Sequence, residues 1–166
     1  RTGEILLYDI NRDIKRSNIS FENMGVNIKN ATVAIEDSEF YNHNGIRISS
    51  TLRAILSRIT NIGIGGGGST ITQQLVKNSL LTPERTIRIK LREFFLTMFV
   101  EGIYTKDQIL ELYFNYVPYG GTAWGIQSAS EVYFGKDVKD LNLAESAFLA
   151  GLPRAPSVYS PYSGQG

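Results

Sequence analysis

Cysteine is absent from this 166-residue chain. Disulfides and thiolate metal sites are therefore excluded, while the compartment stays open, because many exported domains also lack the residue. Histidine is nearly absent: His43 stands alone, so no site built on several histidines can hold a metal. Charge of one sign is not in excess either. Lys plus Arg number 17 against 16 for Asp plus Glu, a net of +1, and without a global basic field nothing argues for nucleic acid as a partner. No apolar run of about 18 residues spans a bilayer, and no signal peptide begins the chain. The sequence opens on Arg1-Thr2-Gly3 without a methionine and stops at Gly164-Gln165-Gly166. It reads as a single domain, residues 1–166, excised from a longer protein, with any anchoring segment left outside. Its 42% hydrophobic content suffices for one substantial core.

What is present in unusual density is a set of uncharged hydrogen-bonding side chains in Gly68-Ser69-Thr70-Ile71-Thr72-Gln73-Gln74-Leu75-Val76-Lys77-Asn78. Thr70 followed three residues later by Gln73 is a capping-box pattern, so Ser69 or Thr70 serves as the N-cap of a helix approached by the glycines Gly65 to Gly68. At helical spacing Thr70, Gln73, Gln74 and Lys77 share a face, and Ile71 and Leu75 lie on another. The plain reading is a capped surface helix. The sharper one is a helix that presents amides, hydroxyls and an ammonium to a polar, anionic or sugar-like ligand.

Along the rest of the chain, Glu4 to Asp9 suggest a short strand or extended arm. Asn27 or Asn30 caps a helix through Ala31, Ala34 and Ile35 that delivers Glu36 and Asp37 at its C-terminal end, where the macrodipole disfavours carboxylates. Phe40 and Tyr41 then read as core packing, and His43 as a structural histidine more simply than as a catalyst. Ser49 or Ser50 caps a helix carrying Leu52, Ile55, Leu56 and Ile59. Thr82-Pro83-Glu84 predicts the start of a further helix, which buries Ile87, Leu91, Phe94, Phe95 and Met98 and exposes Arg85, Arg88, Lys90 and Arg92 as a basic patch suited to phosphate. Capping boxes at Thr105/Gln108 and Asn142/Glu145 open two more helices, and a small-residue helix runs from Gly125 to Tyr133 between them. The total is six to eight short capped helices with little strand, a compact all-α domain. Glu36 and Glu111 stand out as a carboxylate pair that helix packing could bring to one cleft, the arrangement glycosyl chemistry requires.

Five motifs in order, from about Val33 to Ser160, now carry a resemblance. They are Glu36-Asp37-Ser38-Glu39-Phe40-Tyr41-Asn42-His43-Asn44-Gly45; Gly67-Gly68-Ser69-Thr70-Ile71-Thr72-Gln73-Gln74 with Lys77-Asn78; Ile89-Lys90-Leu91-Arg92-Glu93; Ile109-Leu110-Glu111-Leu112-Tyr113-Phe114-Asn115; and Ala129 with Tyr133-Phe134-Gly135-Lys136. In these the sequence resembles the peptidoglycan glycosyltransferase family, glycosyltransferase family 51: the transglycosylase domains of bifunctional penicillin-binding proteins and the monofunctional peptidoglycan polymerases. The resemblance implies a lysozyme-like helical head with a smaller, partly hydrophobic jaw, here at about 46–68, that touches the membrane. It further implies polymerisation of lipid II onto a growing glycan strand through β-1,4 bonds, with release of undecaprenyl pyrophosphate at the outer face of the bacterial cytoplasmic membrane. A transmembrane anchor outside this stretch and a transpeptidase domain in the same parent chain would go with it.

Residue by residue, the resemblance makes Glu36 the general base toward the acceptor's 4-hydroxyl and Glu111 the second acid, on the donor side. Ser69, Gln73, Gln74, Lys77, Arg85, Lys90 and Glu93 match positions lining the donor site and its pyrophosphate, and Asp37, His43, Thr70 and Asn115 join them as candidate substrate contacts. No resident metal is implied; a divalent cation, Mg2+ or Mn2+, would be carried by the diphosphate. Two departures stand out. Ile89 replaces the usual arginine of the third motif, leaving Lys90 to pair with Glu93 at three-residue spacing. Gly65 to Gly68 replace the usual Gln-Gly-Gly approach to the second. The competing readings are a lysozyme-like hydrolase or lytic enzyme on finished glycan, against which the basic helix and Lys77 argue, and an inactive scaffold that binds the lipid-linked precursor.

Overall fold

Six α-helices carry most of the regular structure among the residues that the computed structural model describes, which are 15–47, 69–82, 86–121 and 123–153. They are α1 (Val26–Glu36), α2 (Ile71–Leu80), α3 (Ile87–Ile103), α4 (Lys106–Tyr116), α5 (Ile126–Phe134) and α6 (Leu143–Gly151). Three 3-10 turns punctuate them. The strand content among the described residues is one parallel pairing of β1 (Lys15–Arg16) with β2 (Ala123–Trp124), in the register Lys15 to Ala123 and Arg16 to Trp124. The all-α expectation is borne out.

Local chemistry explains most helix ends. Thr70, Thr105 and Asn142 each accept from the backbone N–H three residues on, while Gln73, Gln108 and Glu145 reach back to the cap, giving three complete capping boxes. Gly135 closes α5 in the left-handed conformation, φ 65°, which a side chain would resist. Two expected starts move. The first helix is capped by Gly25, not by Asn27 or Asn30, because the Asn27 carboxamide instead donates to Leu141 O at 3.2 Å. The long basic helix begins at Ile87 under Thr86, whose hydroxyl accepts from Ile89 N–H, and not at Thr82.

The core forms where α1 packs along α6 and where α2 lies between α3 and α4. Ile28, Phe40, Ile71, Tyr113, Phe114 and Leu149 are fully buried in it. Helix α3 reverses its expected sense: Ile87, Leu91, Phe94, Phe95 and Met98 face outward, and Glu93, Thr97 and Val100 face in. A narrow face of small and polar groups is what meets α2, so the apolar side is turned away from that core. Tyr41, expected in the core, is also exposed, its hydroxyl donating to Asp107. The expected arm at Glu4 to Asp9, the helix after Ser49 and Ser50, the Gly65 to Gly68 run, Arg85 and all of the 46–68 jaw except residues 46 and 47 lie outside the described residues.

Leu149 lies in the α6 segment packed on α1 with no exposed surface. Leu149→Ala is expected to lower unfolding free energy by about 2–5 kcal/mol, measured by denaturant titration.

Candidate active site

The end of α1 and the start of α2 are joined by one buried carboxylate. Asp37, the residue after α1, accepts the first N–H of α2, from Ile71, at 3.2 Å. His43 Nε2 lies 2.9 Å from Asp37 Oδ2, while His43 Nδ1 accepts from Gly45 N–H at 3.0 Å. That second bond leaves Nδ1 without a proton, so the hydrogen sits on Nε2 and points at Asp37. Arg47 adds a longer contact to Asp37, 3.5 Å, and a closer one to Glu39, 3.0 Å. The Thr70 hydroxyl donates to Gly45 O while accepting from Gln73 N–H. Asp37, His43, Thr70 and Gly45 thus form a brace behind the site, with their polar atoms turned to one another. Gln73 shares in it through its Oε1, which accepts from Thr70 N–H.

What the brace holds in place is Glu36. Its Oε2 accepts from the Gln74 amide at 2.6 Å, so the first and second motifs meet there through side chains. On the far side of Gln74, Tyr113 from α4 donates to Oε1 at 3.4 Å. Tyr119 contributes another fully buried phenol, whose hydroxyl has no hydrogen-bond partner among the described residues. Burial pushes both phenols far above the ordinary tyrosine range. Tyr119 and Glu36 push Tyr113 further, and Glu36 does the same to Tyr119, so both hydroxyls lie in the field of the Glu36 carboxylate. Neither tyrosine was singled out in the sequence, where Tyr113 stood only as part of the fourth motif. The signal that could have found them is that a buried phenol needs a polar partner.

Glu111 is held differently. Its Oε2 accepts from the Phe21 backbone N–H at 2.7 Å. Asn115, one turn on, clamps Ile19 with both ends of its carboxamide, accepting from N–H and donating to O at 2.9 Å each, and also donates to Glu111 O. Its polar atoms are therefore committed to the chain itself. Lys90 pairs with Glu93 at the three-residue spacing expected, Glu93 buried and Lys90 mostly exposed. Lys77 is exposed in the last turn of α2, on the side shared with Gln73 and Gln74, and Ser69 is half-buried just ahead of the cap. A second buried link, not anticipated, runs from Thr72 to Glu101 and on to Lys106, whose ammonium lies 4.6 Å over the Phe40 ring.

A family model described as Transglycosylase matches residues 3–166. The chain belongs to the transglycosylase family. By family it is a peptidoglycan glycosyltransferase domain, as its five motifs imply. Penicillin-binding protein 1A of Clostridium tetani is 48% identical to it over 151 residues, 89% of this chain and 19% of that protein. The Pseudomonas aeruginosa protein of the same name is 44% identical over 149 residues, 90% of this chain and 18% of its own. That of Neisseria lactamica is 47% identical over 134 residues, covering 81% and 17%. The transglycosylase domain thus spans less than a fifth of the length of these curated relatives.

Two expectations about the brace and its phenols can be measured. A Cβ on Gly45, at φ 81°, would lie 2.7 Å from Glu101 Cγ and 2.8 Å from Thr97 Cγ2. Gly45→Ala is therefore expected to cost about 1–3 kcal/mol of stability in denaturant unfolding. For Tyr113 and Tyr119 the folded state holds the proton more tightly than the unfolded chain, whose phenols ionise near 10.0. Burial disfavours the phenolate, so unfolding free energy should hold steady below that pH and fall as pH rises above it, less steeply in Tyr119→Phe.

Proposed function

We propose that this domain polymerises lipid II into β-1,4-linked glycan, releasing undecaprenyl pyrophosphate. The observation that carries the reading is the meeting of Glu36 with Gln74, which sets a carboxylate of the first motif against the polar face of α2 that also bears Lys77. In the reaction Glu36 takes the proton from the acceptor sugar's 4-hydroxyl as its oxygen bonds to the donor's C1. The C1–O bond to the diphosphate breaks, and the electron pair leaves with the undecaprenyl pyrophosphate. Lys77 and Lys90 bring positive charge toward the departing diphosphate, and Glu111 assists on the donor side. Arg85 would add to that charge.

Among the described residues no group of three or more His, Cys, Asp or Glu could hold a metal ion. In this reading a divalent cation, Mg2+ or Mn2+, comes with the substrate's diphosphate. None of the helices described is long and apolar enough to cross a membrane. The outward apolar side of α3, with Phe94, Phe95, Met98 and Phe99 exposed, supports work against the outer face of the cytoplasmic membrane, where a lipid-linked substrate resides. The anchor and a transpeptidase domain would lie elsewhere in the parent protein.

Fluorescent lipid II tests the reading directly. Long glycan products support polymerisation, shortening of preformed strands supports a hydrolase, and binding without turnover supports a scaffold. Glu36→Gln is expected to abolish chain growth with the fold intact by circular dichroism, and Glu111→Gln to reduce it strongly. Near-normal growth in Glu36→Gln would sink the mechanism.

A further inference from the structure

Gln74 has two chemically different ends, and only one of them suits a carboxylate. Its N–H donates to Glu36 Oε2 at 2.6 Å, while its carbonyl oxygen is taken by the Tyr113 hydroxyl at 3.4 Å. Turned over, the carboxamide would place a carbonyl oxygen against Glu36 and repel it. Tyr113 is able to choose the orientation because its ring is locked, fully buried on the side of α4 away from Glu111. Gln74 itself sits in the second turn of α2, a helix pinned by its own capping box and by Asp37.

We propose that Gln74 and Tyr113 form a positioning relay, from α4 through α2 to α1, that fixes the direction of the Glu36 carboxylate and favours its proton-accepting form. The relay rests on the reading of Glu36 as the base. It gives Gln74 a role toward the protein's own acid in place of a direct substrate contact, and it gives Tyr113 a role that burial alone does not supply. Neither residue touches the reacting atoms; both act through Glu36. The phenols in the field of this carboxylate are Tyr113 from α4 and Tyr119 from the loop after it, and α2 contributes the uncharged Gln74.

The test is Tyr113→Phe in the intact protein, a change that keeps the ring and removes one hydroxyl. Loss of one oriented hydrogen bond should lower kcat for lipid II polymerisation roughly threefold to tenfold, with KM little changed. The acid limb of the pH–rate profile should move to higher pH, because the charged form of Glu36 loses support. A carbon-13 titration of the Glu36 carboxyl, assigned by its disappearance in Glu36→Gln, should show the midpoint rising by roughly half a pH unit. Gln74→Met should raise it in the same direction, and adding Tyr113→Phe to that variant should change nothing more, since the two act in series. An unmoved midpoint in both variants overturns the relay, even if activity falls through lower stability. Wild-type protein that fails to extend lipid II overturns the lipid II reading instead, and the carboxyl titration still decides the relay.

Discussion

The site depends on one buried anion serving two helices. Asp37 follows the last turn of α1, where the helix dipole opposes a negative charge, and the same carboxylate caps the first N–H of α2, where the dipole favours one. The second position offsets the first. His43, fixed as a donor by Gly45 N–H, and Arg47 supply further partners, without which a fully buried charge would be strongly destabilising. Because α1 and α2 share this anion, the distance between their ends is set, and so is the 2.6 Å contact of Glu36 with Gln74. Gly45 closes the arrangement by letting the backbone pass tightly against Thr97 and Glu101.

Against that fixed corner, the phenol of Tyr119 costs stability. A buried hydroxyl without a partner typically loses about 1–3 kcal/mol, and a second phenol, Tyr113, sits in the same carboxylate field with only a 3.4 Å bond to Gln74. Apolar residues of similar shape would pack here at less cost. Retaining polar groups beside Glu36 is the kind of local inconsistency that marks a functional site.

Much of this was legible because caps and buried faces are local. Thr70 with Gln73, Thr105 with Gln108 and Asn142 with Glu145 announce their helices within four residues, and all three boxes form. The positions of Glu36 and Asp37 at a helix end followed from the same reasoning. What could not be read were properties set by distant neighbours. Asn27 has the chemistry of a cap, yet its amide is used by Leu141, more than a hundred residues away. Helix α3 has apolar residues enough for a buried face, yet periodicity cannot say which side meets α2, and Glu93 and Thr97 take it. Nor does a one-dimensional pattern show that Asn115 clamps Ile19.

The two carboxylates consequently rest on separate supports. Glu36 is oriented by a side chain from a neighbouring helix, so its geometry inherits every adjustment at the Asp37 corner. Glu111 is oriented by the backbone N–H of Phe21, in a segment that Asn115 pins at Ile19. Helix α4 is common to both: Tyr113 faces the Glu36 side, while Glu111 and Asn115, one turn apart, face the pinned segment. A shift of α4 along its axis would disturb both acids at once, whereas a change at either end support would disturb only one. The full burial of Ile109, Leu110 and Phe114 anchors α4 in the core, so the helix that carries both supports is held by packing along its length.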